Sequence, residues 1–271
     1  MITILLKIEW RKVAKNRIFW IMLILSLTAL VAALLGLQGI IEQTNENLKT
    51  TEFGNLPLLP SNIFIFPHVW HNITFVARFL KIFLAVVMII LVTNEYTFNT
   101  LRQNLITGLS KKDLIASKAI DAIILAAVST FIVFVFGIIM GILSSDDYLF
   151  SDIFRKINYL GAYFLMLVGF LSFAMMIAFI VKKAAFSIMI LLVYSYILEL
   201  VFAFKYEDTI GNYLPLRNFN LLIEAPNIPA FQTMGISNFS YGIPTTNLIL
   251  SFVYIGVFWG VSFLILKRRD L

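Results

Sequence analysis

The sequence predicts an all-α membrane protein with six transmembrane helices, an N-terminal interfacial helix and a short helix between spans 2 and 3. Three observations carry that prediction. Of 271 residues, 60% are hydrophobic and only 13% charged, with 26 Phe and a mean hydropathy of +0.91. A soluble domain has about 25% charged residues and about 45–50% apolar ones. Six separate apolar runs each approach the roughly 20 residues that cross a bilayer as a helix. Finally, Lys and Arg gather in alternate connections, as the positive-inside rule requires. Cysteine is absent, which excludes a disulfide framework, a thiolate metal site and a thiol nucleophile.

The spans are expected at about 18–37, 74–93, 119–143, 159–181, 184–202 and 247–266. The first and fourth contain no charge, the second holds Arg78 and Lys81, the third Asp121 and the fifth Glu199. The basic start, apolar run and small residues at 29–33 imitate a secretory signal, but the run is too long for one and five spans follow.

Orientation follows from counting cations. Residues 1–17, 94–118 and 182–183 and the C-terminal tail carry 14 Lys and Arg; the opposite connections carry 5. The first set is expected in the cytoplasm, with both termini inside a bacterial cytoplasmic (inner) membrane. Two long segments, 38–73 and 203–246, then face outward. The second is rich in Pro yet apolar, and reads equally as short helices dipping into the outer leaflet or as an ordinary external loop.

Two cytoplasmic features stand out. In residues 1–17, Ile2, Leu6, Trp10 and Val13 share a helical face, while Lys7, Arg11 and Lys15 recur every fourth residue on another. That pattern suits a helix lying flat at the bilayer interface or, more simply, a basic anchor. In residues 94–118, Thr100 with Gln103 and Ser110 with Asp113 each match a capping box, and Gly108 is placed to end a helix. A short helix is expected at 101–107, with a second continuing into span 3.

These residues resemble a type-2 ABC transporter permease. The resemblance rests on the basic stretch 9–17 leading straight into span 1, and on Glu95 at the end of span 2, Thr100 to Arg102, the turn Gly108 to Ser110, Lys111 with Lys112, and Lys118 opening span 3. The family commonly has Pro in that turn, where this chain has Gly108. Size, span count and predicted orientation extend the resemblance to the whole chain, as a single permease domain. The resemblance implies a subunit of an exporter whose ATP and Mg are bound by a separate cytosolic ATPase, while this chain binds no cofactor. It implies a second permease subunit, identical or related, and contact with membrane lipid. The N-terminal elbow helix and the coupling helix between spans 2 and 3 would dock the ATPase, through Trp10, Arg11, Thr100, Leu101, Arg102, Leu105, Lys111 and Lys112. The sequence has no phosphate-cradling Gly-rich loop ending in Lys and Ser or Thr, in keeping with a partner that hydrolyses ATP.

Charges inside a membrane are costly and mark functional candidates. Arg78, Lys81 and Glu199 are expected at one depth near the outer leaflet, as a salt bridge, as the lining of an external vestibule, or snorkelling separately to headgroups. Glu95 joins this charge network, and Asp121 is expected at the cytoplasmic interface beside Lys118. His68 and His71, the only histidines, are weak candidates for a metal pair with Glu42, Glu46 or Glu52; aromatic anchoring fits their surroundings better. Protease and hydrolase signatures are absent, and the dispersed basic residues do not suit nucleic acid. A secondary transporter and a non-transporting assembly or immunity factor remain as alternatives. The shortage of polar groups in the spans points to a hydrophobic or amphipathic cargo such as a lipid, peptide or antibiotic.

Overall fold

In the computed structural model, residues 10, 13–49, 63–106, 108–145, 148–206, 210–226 and 242–268 are described. Of the described residues 85% are helical and none lies in a strand. Most of the expected interfacial segment, including Arg11, lies outside them; Trp10 is helical and half exposed, and Val13 is fully buried.

Helix α1 (Arg17–Lys49) starts where the Asn16 side chain accepts the Ile18 amide at 3.0 Å, an N-cap interaction. Span 2 is broken into α2 (Val69–Ala77), a 3-10 turn (Arg78–Leu80) and α3 (Lys81–Thr97). After α4 (Thr100–Ile106), α5 (Lys111–Ser144) forms span 3. Helix α6 (Phe150–Phe154) leads into α7 (Asn158–Val181), and the pair makes span 4. Span 5 is again interrupted: α8 (Ala184–Val193), a π turn (Tyr194–Leu198) and α9 (Glu199–Lys205). A 3-10 turn (Gly211–Tyr213), α10 (Pro215–Asn220) and α11 (Thr245–Lys267) complete the chain, α11 being span 6. Six helical stretches are thus long and apolar enough to cross a membrane.

All six expected spans occur, and the helices outrun several of the expected boundaries. α1 reaches Lys49 and α2 begins at Val69, because a helix continues past the residues that hydropathy marks as apolar. Span 4 is the centre: 72% of its most apolar window is buried, against 56% for span 2 and 17–22% for the other four. Its apolar residues run all round the helix, so it can be covered on every side. α7 packs against α3, α5, α8 and α11. The outer spans turn one face to this core and another outward, where Phe131, Ile190, Val201 and Phe252 are exposed.

Close approach between spans uses glycine. Gly137 and Gly141, one turn apart on α5, face the Trp70 and Phe66 rings, and a methyl group at either would overlap the ring. Gly169 on α7 meets Phe219 of α10 in the same way. Small residues at such crossings let side chains or backbones interlock where lipid provides no hydrophobic drive.

Candidate functional site

Two regions collect the charged and polar residues. One is at the end of the bundle bearing Arg102, Lys111, Lys112, Lys182 and Lys267, here termed the basic end; the other is at the far end.

At the basic end, α4 is held on both sides by specific caps. α3 finishes with Asn99 in the left-handed region (φ 53°), and the Asn99 carbonyl accepts the Gln103 amide. Asn99 therefore precedes the first helical residue, so the expected cap position at Thr100 is shifted by one. At the other side Gly108 has φ 99°, with its amide donating to the Leu105 carbonyl and the Leu109 amide to the Asn104 carbonyl. That is a Schellman ending, open to Gly because it carries no Cβ. The Ser110 and Asp113 box forms as expected: Ser110 Oγ accepts the Asp113 amide at 3.1 Å and the Asp113 carboxylate accepts the Ser110 amide at 3.2 Å.

The side chains of α4 divide into two faces. Leu101 is buried and Leu105 is half-buried against the core. Arg102, Gln103 and Ile106 point outward, Ile106 with 77% exposure. Thr100 is half-buried and Lys112 exposed. Lys111 donates to the Lys267 carbonyl at 3.3 Å, tying the start of span 3 to the end of span 6. A cation there also suits the negative end of the α11 dipole.

Glu95 near the end of α3 and Lys118 and Asp121 near the start of α5 form a buried charge cluster. Lys118 Nζ is 2.8 Å from Glu95 and 3.1 Å from Asp121, and all three side chains are at most 6% exposed. Asp121, expected beside Lys118, is fully buried within the protein, where α3 and α7 pack against span 3. The Lys118 and Asp121 contact follows from i,i+3 spacing, whereas the Glu95 contact crosses from span 2 to span 3. Two carboxylates around one ammonium make a buried cluster in which each charge depends on the others.

At the far end, the two irregular spans face each other. Arg78, Lys81 and Glu199 line one cavity of about 500 Å³ together with Phe170, Arg217, Asn220 and Glu224. Arg78 donates to the carbonyls of Asn220 (3.2 Å) and Ile223 (2.6 Å), and stacks on Phe75 and Phe79. Lys81 Nζ donates to Asn220 Oδ1 at 2.5 Å and lies over the Phe170 ring. Glu199 Oε1 accepts from the Arg217 amide at the start of α10, while its Oε2 is buried without a hydrogen-bond partner among the described residues. Among the described residues neither Arg78 nor Lys81 makes a direct ion pair with Glu199. Lys81 and Glu199 are 7% and 4% exposed and point into the bundle rather than along it.

The segment that closes this cavity was open in the sequence. Residues 210–226 form short helices buried against spans 4, 5 and 6: Leu216, Phe219, Leu222 and Ile223 enter the core. Asn218 secures them, donating to Ser251 Oγ and the Asn247 carbonyl while accepting from the Asn247 side chain. The roles of Asn218 and Asn220 had no motif to announce them; Pro215 at the first helical position was the one local signal of a helix start.

The two histidines go separate ways. His71 Nε2 bonds the Glu224 carbonyl at 2.8 Å and its ring stacks on Tyr159; His68 Nδ1 lies 3.2 Å from Lys156 Nζ. Burial, then Lys156 and Arg155, hold the His68 imidazole below its ordinary pKa. No group of three or more His, Cys, Asp or Glu that could hold a metal occurs among the described residues.

Comparison with known proteins gives one family. The ABC-2 family transporter protein model matches residues 5–198, more than half the chain, including spans 1–4, α4, the buried charge cluster and most of span 5. No individual curated protein matches. A bundle of six membrane-spanning helices, and a family match over most of its length, have one meaning: the chain is a multi-pass membrane protein belonging to the ABC-2 transporter family, a permease.

Proposed function

We propose that this permease is the membrane half of an ATP-driven exporter in a bacterial inner membrane, and that its basic end is cytoplasmic and receives a separate ABC ATPase. The excess of Lys and Arg in the sequence segments 1–17, 94–118 and 182–183 and the C-terminal tail, 14 against 5 in the other connections, supports the orientation. The observation that carries the docking reading is α4. A seven-residue helix is fixed by Asn99 and Gly108 between two spans, buries Leu101, and presents Arg102, Gln103 and Ile106 outward. Such a rigid, outward-facing element transmits a push from a partner into spans 2 and 3, whose bases are joined by Lys118. A second permease subunit would cover part of the apolar outer faces, and the cargo would be hydrophobic or amphipathic.

The test is co-purification of the ATPase with full-length permease. Arg102→Glu combined with Ile106→Asp changes two exposed side chains and leaves Leu101 in place. The expected result is a loss of ATPase retention of roughly tenfold or more, with the permease still monodisperse. Undiminished retention would sink the docking role of α4.

A further inference from the structure

We propose that the far-end cavity between spans 2 and 5 binds a zwitterionic amphiphile, a phospholipid of the phosphoethanolamine kind, with its ammonium on Glu199 and Ser195 and its phosphate on Arg78 and Lys81. Such binding stands whether or not the lipid is exported.

Span 5 supplies the acceptors. Glu199 is 4% exposed and lines the cavity. Its Oε1 accepts the Arg217 amide, while Oε2 is buried with no hydrogen-bond partner among the described residues. The Ser195 hydroxyl oxygen, from the same lining, is buried without a partner as well. An unmatched carboxylate oxygen is costly in a protein interior, and an ionised carboxylate can only accept. The group that satisfies it is a donor, and an ammonium meets Glu199 and Ser195 together. Ser195 lies in the π turn and Glu199 directly follows it. Such turns inside α-helices occur frequently at functional sites.

Span 2 supplies the cations. In a 3-10 turn, side chains three residues apart eclipse each other, so the turn at Arg78–Leu80 brings Arg78 and Lys81 into line. Both line the cavity. Their hydrogen bonds go to neutral oxygens only: the Asn220 and Ile223 carbonyls and the Asn220 side-chain amide. A guanidinium and an ammonium carry more N–H donors than these bonds use. Among the described residues neither cation pairs directly with Glu199. Arg217 and Glu224, each with further interactions of its own, add one charge of each sign to the lining. The cavity therefore holds both signs of charge, kept apart by the fold. A ligand of one sign meets repulsion from one wall, whereas a zwitterion with a short link between its charges suits both.

The shape selects an amphiphile. At about 500 Å³ the cavity falls in the range of about 300–1,000 Å³ typical of small-molecule sites. Its walls include Phe79, Leu200 and Phe204, which are 54%, 49% and 65% exposed on spans 2 and 5. A hydrocarbon tail can lie along these side chains while the phosphate reaches Arg78, whose planar guanidinium matches its oxygens.

The experiment measures binding to purified full-length permease in a neutral detergent. The probes share one chain length: lysophosphatidylethanolamine, lysophosphatidylglycerol, which lacks the ammonium, and a fatty amine, which lacks the phosphate. Lysophosphatidylethanolamine is expected to bind roughly tenfold more tightly than either, and free phosphoethanolamine not to displace it. Glu199→Gln keeps an acceptor for the Arg217 amide and should reduce lysophosphatidylethanolamine to the level of lysophosphatidylglycerol. Arg78→Gln with Lys81→Gln should reduce it to the level of the amine, and Lys205→Gln, an exposed cation at the same end, should leave both preferences intact. Leu200→Trp keeps every charged group but fills the mouth, and should abolish tight binding; it decides the matter if the polar variants fail to fold. Lysophosphatidylglycerol binding as tightly as lysophosphatidylethanolamine overturns the proposal by showing a phosphate site, and the amine doing so overturns it by showing an ammonium site. Tight binding that survives Glu199→Gln or Leu200→Trp overturns it too, and displacement by free phosphoethanolamine overturns the amphiphile.

Discussion

Lys118 on span 3 reaches across to Glu95 on span 2 at 2.8 Å while also holding Asp121 at 3.1 Å, and the three side chains are buried. Removing the ammonium leaves two carboxylates facing one another without it. Breaking a buried ion pair on one side costs about 3–5 kcal/mol. Lys118→Met is therefore expected to lower the unfolding temperature of the solubilised permease sharply, and adding Glu95→Gln to recover part of the loss. A Lys118→Met variant as stable as the parent would show that the cluster does not hold spans 2 and 3 together.

The glycines divide into two classes by what surrounds them. Gly141→Ala drives a methyl into the Phe66 ring, whereas Gly260 on α11 has open space. Overpacking costs about 1–3 kcal/mol, while Gly to Ala in an unobstructed helix gains about 0.5–1 kcal/mol. Thermal unfolding should place Gly141→Ala below the parent and Gly260→Ala at or above it. The reverse order would mean that the approach of span 3 to Phe66 is not tight.

Ser110 caps span 3 next to the turn that positions α4. Ser110→Ala loses the side-chain acceptor for the Asp113 amide, an effect of about 0.5–2 kcal/mol. Ser110→Thr retains it. Hydrogen exchange in the first turn of α5 should quicken for Ala and stay near the parent for Thr. Equal exchange in all three proteins would remove the cap from the account of how α4 is held.

Glu199 clamps the start of α10. Glu199→Leu strands the Arg217 amide, a loss of about 1–3 kcal/mol when such a group is buried without a partner. Limited proteolysis is expected to cut within 210–226 in this variant faster than in the parent. The same result is expected for Asn218→Leu, which loses the bonds to Ser251 and Asn247. Unchanged cleavage in both would show that the apolar contacts of Leu216 and Phe219 suffice.

Much of this arrangement was legible in the sequence, and what was missed has physical causes. Six apolar runs gave six spans, since composition alone decides whether a helix tolerates lipid. The cap of span 3 was legible because Ser110 and Asp113 act within one turn. Asn99 was not, because a left-handed residue other than Gly leaves little compositional trace. Asp121 was expected to bond Lys118, a contact within one helix; its full burial, and the reach of Glu95 to the same ammonium, depend on how spans 2 and 3 pack. Likewise Arg78, Lys81 and Glu199 were placed at one depth by counting residues. That count held no information about Asn220, which meets both cations from a segment about 140 residues away.

The π turn at Tyr194–Leu198 acts as a one-residue insertion in an otherwise α-helical span. Each residue of an α-helix turns the chain by about 100°. The wide turn absorbs that residue locally, so the same residues wound as plain α-helix would carry Glu199 about 100° away from α10. Whether this carboxylate faces the protein or the bilayer therefore hangs on one local change of hydrogen-bond register, with no amino acid altered.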